Sequence, residues 1–186
     1  GTDRRANSFK LIKSSFERPN LTYMVRKADD KIGGILNICQ SLPLGSGIVY
    51  AGTRKATENL AALLSSSGVS ASYYHAGLTP FERMSRQKKW QKGEIRVMAC
   101  TNAFGMGIDK PDVRFVAHYD VPSSPEAYFQ EAGRAGRDGK HSWAVLLWNE
   151  NDLSRLSQIQ TQSYPSIEYM EKIYQDIHIM YGIPYD

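Results

Sequence analysis

The chain has 186 residues, 41% of them hydrophobic and 23% charged, with 15 glycines; these ordinary globular values exclude a disordered segment, a collagen and a coiled coil, and at roughly 100–200 residues per domain the length allows one full domain or two small ones. The longest purely apolar run, Trp143 to Trp148, falls far short of the roughly 18 residues of a membrane-spanning helix, so a soluble protein with no membrane partner is expected. The net charge of +4 is unevenly spread: residues 1–148 hold 21 Lys/Arg against 13 Asp/Glu and residues 149–186 hold 2 against 6, which assigns any polyanionic partner to the first part.

In chain order, Leu21 to Val25 reads as a strand and Asp29 to Gln40 as a helix. Ile48-Val49-Tyr50-Ala51, preceded by a Gly45-Ser46-Gly47 turn, is a β-branched apolar strand; Thr53 behind it is placed to cap a helix running to about Ser66, closed by Gly68. Ala71 to His75 is the next strand. Thr79-Pro80-Phe81-Glu82 joins a capping box to a proline at the first helical position, the strongest helix start in the chain, and predicts a helix to about Gln91 closed by Gly93. Ile95 to Thr101 and Val113 to Tyr119 are near-continuous apolar runs, the pattern of strands covered on both faces. Ser124-Pro125-Glu126 opens a helix that reaches Gly133, Ser142 to Trp148 is the last strand, and residues 149–186 read as two helices separated by Tyr164-Pro165. Strands alternating with helices predict an α/β fold, a parallel sheet with right-handed crossovers and helices on both faces, followed by a helical appendage.

Cys39 and Cys100 lie far apart with no CxxC partner, so they read as core thiols of a protein in a reducing compartment, with the cytoplasm expected and no zinc site signalled. No Gly-Lys-Ser/Thr phosphate loop is present, since the one Gly-Lys pair, Gly139-Lys140, is followed by His141; HExxH and GxSxG are also missing. Gln130 to Gly139 stands out instead: Arg134 and Arg137, three apart among glycines at the end of a helix. Guanidinium forks hold phosphate oxygens bidentately and cannot lose their charge, and glycines beside them admit another surface, so the segment suits reaching into a phosphate site built by a different domain. Alone, it would read as a basic helix end that favours the helix dipole.

Three further segments accompany it: Gly47 to Arg54 (GIVYAGTR), Tyr74 to Leu78 (YHAGL) and Thr101 to Pro111 (TNAFGMGIDKP). In order and spacing the four resemble the second RecA-like lobe of superfamily 2 helicases. The phrasing of Phe16 to Leu21 (FERPNL), of FGMGIDKPDVR from Phe104, of HYDVP from His118 and of Tyr128 to Gly139 is most similar to the RecQ family. The resemblance covers residues 16 to about 150 and divides the chain into 1–15, a linker from a first lobe; 16–148, the RecA-like lobe; and 149–186, an appendage without the zinc-binding cysteines common in that family. It implies an ATP-dependent DNA helicase lobe moving 3′ to 5′, with ATP and magnesium bound mainly by the first lobe and single-stranded or partly duplex DNA as partner. Arg137 would be the arginine finger, Arg134 its phosphate-contacting or supporting neighbour, and Gln130 a coupling residue. Asp109 and Gly107 would meet the nucleotide, Asp109 at the ribose or by orienting the finger. Thr53, Arg54, His75, Gly77 and Thr101 would follow the single-strand backbone, with His75 supporting the main chain rather than moving protons, since no carboxylate partner is identifiable for it. An RNA helicase or chromatin-type translocase, and a binding module without a motor, remain the alternatives. Lys88, Lys89 and Lys92 read as a solvated helix face, and Trp143 and Trp148 as packing.

Overall fold

A computed structural model describes residues 18–105 and 108–163, with side chains to residue 158. The helix expected after Tyr164-Pro165 and the site residue Gly107 both lie outside the described residues. Among the described residues six strands and five helices alternate except between β4 and β5: β1 (Leu21–Lys27), α1 (Lys31–Ser41), β2 (Ser46–Tyr50), α2 (Arg54–Ser66), β3 (Ala71–Tyr74), α3 (Pro80–Gln91), β4 (Val97–Cys100), β5 (Val113–His118), α4 (Pro125–Ala132), β6 (Ser142–Trp148) and α5 (Glu150–Ser163). The strands form one sheet in the order β1-β6-β5-β2-β4-β3. Every pairing is parallel.

The helix starts follow their local chemistry. Asp30, Thr53 and Ser124 each accept a backbone N–H three residues on, and Thr79 forms the full capping box with Glu82. Central strands are buried end to end because alternate residues face two helical layers. Ile48, Met98 and Val116 pack with Trp90 of α3 and Ala132 of α4. Val49, Ala99 and Phe115 pack on the other face with Ile35 of α1 and Leu60 of α2.

One feature differs from the sequence expectation. Ser46 and Gly47 belong to β2 rather than to a turn. Only Gly45, at φ 84°, turns the chain. Gly47 lacks a side chain because the Phe115 ring lies where its Cβ would be, and its carbonyl accepts the buried Trp90 Nε1–H at 3.3 Å. The connection from β4 to β5 passes across β2, and its described residues, 101–105 and 108–112, hold no helix. Phe104 and Ile108, buried in the core, anchor it.

The start of α5 is fixed to this body. Lys31 on α1 and Asp152 on α5 form a buried ion pair at 2.5 Å, Lys31 also donates to the Tyr119 carbonyl at 2.7 Å, and Arg155 donates to the Val121 carbonyl at 3.0 Å. Among the described residues no helix is long and apolar enough to cross a membrane.

Candidate functional site

In a parallel sheet all strands end at one edge, where the loops that follow them gather. Here Tyr50, Cys100 and His118 stand abreast as the last residues of β2, β4 and β5. Their loops border a cleft of about 220 Å³ lined by Gly52, Thr101, Asn102, Asp120 and Ser123. Gly52 N–H donates to Asp120 at 2.7 Å, which holds the loop ahead of α2. Thr53 and Arg54 are exposed at the start of that helix, and Thr101 at the end of β4 accepts the Ala103 N–H at 3.4 Å.

His75 and Gly77 join this edge from the loop after β3. The Gly77 N–H donates to His75 Nδ1 at 3.1 Å, so the other ring nitrogen carries the hydrogen and faces Glu58 Oε1 at 3.2 Å. The imidazole is buried and both its nitrogens are engaged. Glu58 is the carboxylate that sequence reasoning missed: it lies on α2, and only the packing of α2 beside β3 brings it to His75. A side chain at Gly77 would come to 2.9 Å from Arg54 Nη1, so the glycine leaves room for that guanidinium.

The arginine segment lies at the opposite edge. α4 runs back across the sheet, and the turn after it is tied to strand beginnings, Gly136 N–H to the Val113 carbonyl at 2.8 Å and Asp138 N–H to the Pro111 carbonyl at 3.2 Å. Arg134 and Arg137 therefore lie beyond the end of the helix, and they do different things. Arg134 is half-buried and donates to the Gly105 carbonyl at 2.7 Å, while the Tyr50 hydroxyl holds the neighbouring Phe104 carbonyl at 2.9 Å. These bonds satisfy two carbonyls that the helix-free crossover would otherwise leave unpaired. Burial pushes the Tyr50 hydroxyl pKa up, so it stays a donor. Arg137 is 40% exposed and meets Asp109 Oδ1 at 3.3 Å, with Asp109 82% exposed. Gln130 is exposed on α4 between the two edges.

Between the edges lie residues 101–105, next to the strand ends, and residues 108–112, with Asp109 beside Arg137. A buried chain of rings and acids lies next to this path: His118 donates through Nε2 to Glu131 at 2.8 Å and stacks on Tyr50 at 5.3 Å. His118 Nδ1 has no partner among the described residues. Asp138, next to Arg137, is held by Arg114 at 2.5 Å, and that hydrogen bond keeps its carboxyl below the usual range. Burial pushes the Cys39 thiol up to about 11 and that of Cys100 well above its ordinary value, which keeps both unreactive. Among the described residues no three His, Cys, Asp or Glu side chains gather as a metal would require.

The helicase conserved C-terminal domain model matches residues 30–139. The chain is 42% identical over 166 residues to the ATP-dependent helicase SGS1 of Saccharomyces cerevisiae, covering 87% of this chain and 11% of that protein. It is 46% identical over 152 residues to the RecQ-like DNA helicase blm-1 of Caenorhabditis elegans, covering 81% and 15%. The chain thus spans about a tenth to a seventh of the length of these two relatives. Among solved structures, a variant of S. cerevisiae Dbp5 bound to RNA and ADP BeF3 is similar at a TM-score of 0.64 and 31% identity, covering 76% of this chain and 38% of that one.

Proposed function

The chain belongs to the helicase conserved C-terminal domain family, its relatives include RecQ-type DNA helicases, and from that premise we propose that it is the second motor lobe of an ATP-dependent DNA helicase. The observation that carries this reading is the separation of its functional groups. One sheet edge presents Thr53, Arg54 and Thr101, with hydroxyls and a guanidinium suited to phosphates rather than base edges, and Gly77, whose missing side chain leaves room for that guanidinium. The other presents Arg137, charged and exposed, its ion pair among the described residues being with the solvated carboxylate of Asp109. The β4–β5 connection joins them along the chain.

ATP and magnesium are assigned mainly to a preceding lobe, and the nucleotide, when bound, supplies the γ-phosphoryl group transferred to water. This chain's part is to bring the Arg137 guanidinium to that group, where a planar, permanently charged fork stabilises the charge of the transition state. Asp109 holds Arg137 loosely enough for a phosphate to displace it, since an exposed pair contributes only about 0–1 kcal/mol. Arg134 supports the finger indirectly, through Gly105. Opening and closing of two lobes then alternates the grip of the strand-end edge on DNA, with 3′–5′ polarity following the RecQ resemblance.

The test is steady-state ATPase of the intact helicase. Arg137→Ala should lower turnover by roughly 10³–10⁵ with little loss of nucleotide affinity, and Arg137→Lys should rescue poorly. Near-normal turnover would remove Arg137 from the role. The likeness to RNA-bound Dbp5 favours a second reading, since backbone contacts serve either nucleic acid; stimulation by RNA rather than by single-stranded DNA would select it. The chain alone, without a phosphate loop, should hydrolyse no ATP.

A further inference from the structure

The loop that carries Arg137 is gripped from below by a segment more than 110 residues away in sequence. Arg18, half-buried just ahead of β1, donates through Nη1 to the Gly133 carbonyl at 2.9 Å and through Nη2 to the Ala135 and Gly136 carbonyls at 2.7 and 2.9 Å. Two residues on, Asn20 Nδ2 donates to the Gly136 carbonyl at 2.8 Å and the Lys140 carbonyl at 3.0 Å. Two side chains thus hold four carbonyls on either side of Arg137. The cation sits where carbonyls left over from the end of α4 concentrate negative charge.

Gly136 is shaped to this clamp. Its φ is +63°, and a Cβ there would lie 2.6 Å from Asn20 Nδ2 and 2.7 Å from Ser142 Oγ. The loop therefore combines a free outer surface, where Arg137 is 40% exposed, with an inner surface fixed by a planar donor fork. A fork whose two terminal nitrogens both point at main-chain carbonyls is committed inward; Arg18 is a support and not a second phosphate-reaching group.

We infer that Arg18 is a positioning residue for the phosphate-reaching Arg137, acting by fixing the carbonyls of residues 133–136, with Asn20 as its partner. The inference rests on the reading of Arg137 as an arginine finger. A displacement of about 1 Å in a group that must meet a transition state costs about 10²-fold, whereas ground-state nucleotide binding by another lobe is indifferent to it.

The experiment is a double-variant cycle in the intact helicase, reading kcat and KM for ATP with saturating single-stranded DNA and a melting curve for each protein. Arg18→Ala should lower kcat by about 10²-fold with KM nearly unchanged. Arg18→Lys should rescue only in part, since one ammonium cannot reproduce a fork spread over three carbonyls. In an Arg137→Ala background Arg18→Ala should cost no further turnover, because the group it positions is gone. Folded Arg18→Ala with normal kcat, or losses that multiply in the double variant, would overturn the inference. If Arg18→Ala does not fold, Asn20→Ala, which removes two of the five bonds, carries the same cycle, and a normal kcat or multiplying losses there overturn it too. A silent Arg137→Ala would overturn the finger reading itself, and with it the inference, whereas a strong Arg137→Ala beside an additive Arg18→Ala overturns the inference alone.

Discussion

Removing the ammonium of Lys31 tests whether α5 is energetically part of the lobe. Lys31 and Asp152 are 6% and 5% exposed and 2.5 Å apart, so Lys31→Met leaves a buried carboxylate without its main counter-charge, a change that costs about 3–5 kcal/mol. Two partners remain to Asp152: the Asn149 N–H at 2.8 Å and Arg155 at 3.6 Å. They place the expected loss at the low end, about 3 kcal/mol, or a fall in melting temperature of about 6–12 °C for a chain of this size. Asp152→Asn keeps an oxygen for the Asn149 N–H but orphans the ammonium, which retains the Tyr119 carbonyl and lies 5.4 Å from the Tyr119 ring; about 2–3 kcal/mol is expected. Because either change already breaks the pair, the double variant should lose much less than the sum, giving a coupling of about 2–3 kcal/mol. Urea unfolding of the four proteins measures it. A coupling under about 1 kcal/mol, the value of an exposed pair, would refute the view that this ion pair docks α5.

At the start of α3, Thr79→Ala should cost about 1 kcal/mol at neutral pH. The bonds from the Thr79 N–H and hydroxyl hold the Glu82 carboxyl below its ordinary value, so this contribution is present above the usual carboxylate pKa and is lost as pH falls through the lowered one. The gap between wild type and variant should narrow in acid, and a gap constant from pH 7 to 3 in chemical melts would contradict this. Gly136→Ala should destabilise more than Gly139→Ala, because both residues have positive φ but only Gly136 has neighbours within 4 Å of a new Cβ. The Gly139 change carries about 1–2 kcal/mol of backbone strain alone, and equal thermal shifts would show the clamp to be soft. Single-stranded DNA should bind this chain weakly with an affinity that falls steeply with salt, each neutralised phosphate adding about −0.7 to the log–log slope; a titration giving a flat slope or a marked sequence preference would contradict backbone recognition.

The sequence by itself determined the kinds of element and most of their boundaries, because these are local. Thr53, Thr79 and Ser124 cap helices through bonds to residues three positions on, and unbroken apolar runs such as Trp143 to Trp148 can only be satisfied with a helical layer on each side. The order of the motifs pointed to the lobe and to Arg137. Tertiary structure alone decided what these residues face. The parallel sheet sets Thr53, Arg54, Gly77 and Thr101 at strand ends and the Arg137 loop at the start of β5, a separation that a list of motifs in chain order cannot show. Arg134 and Arg137 look equivalent three residues apart, yet the chain leaves the helix at Gly133 and sends one to the Gly105 carbonyl and the other to solvent. Glu58 beside His75, and Arg18 beneath Gly133 and Gly136, are contacts across 17 and more than 110 residues. No periodicity encodes such contacts; they exist because strands distant in sequence become neighbours in the sheet, and the carbonyls left at their ends must then find donors.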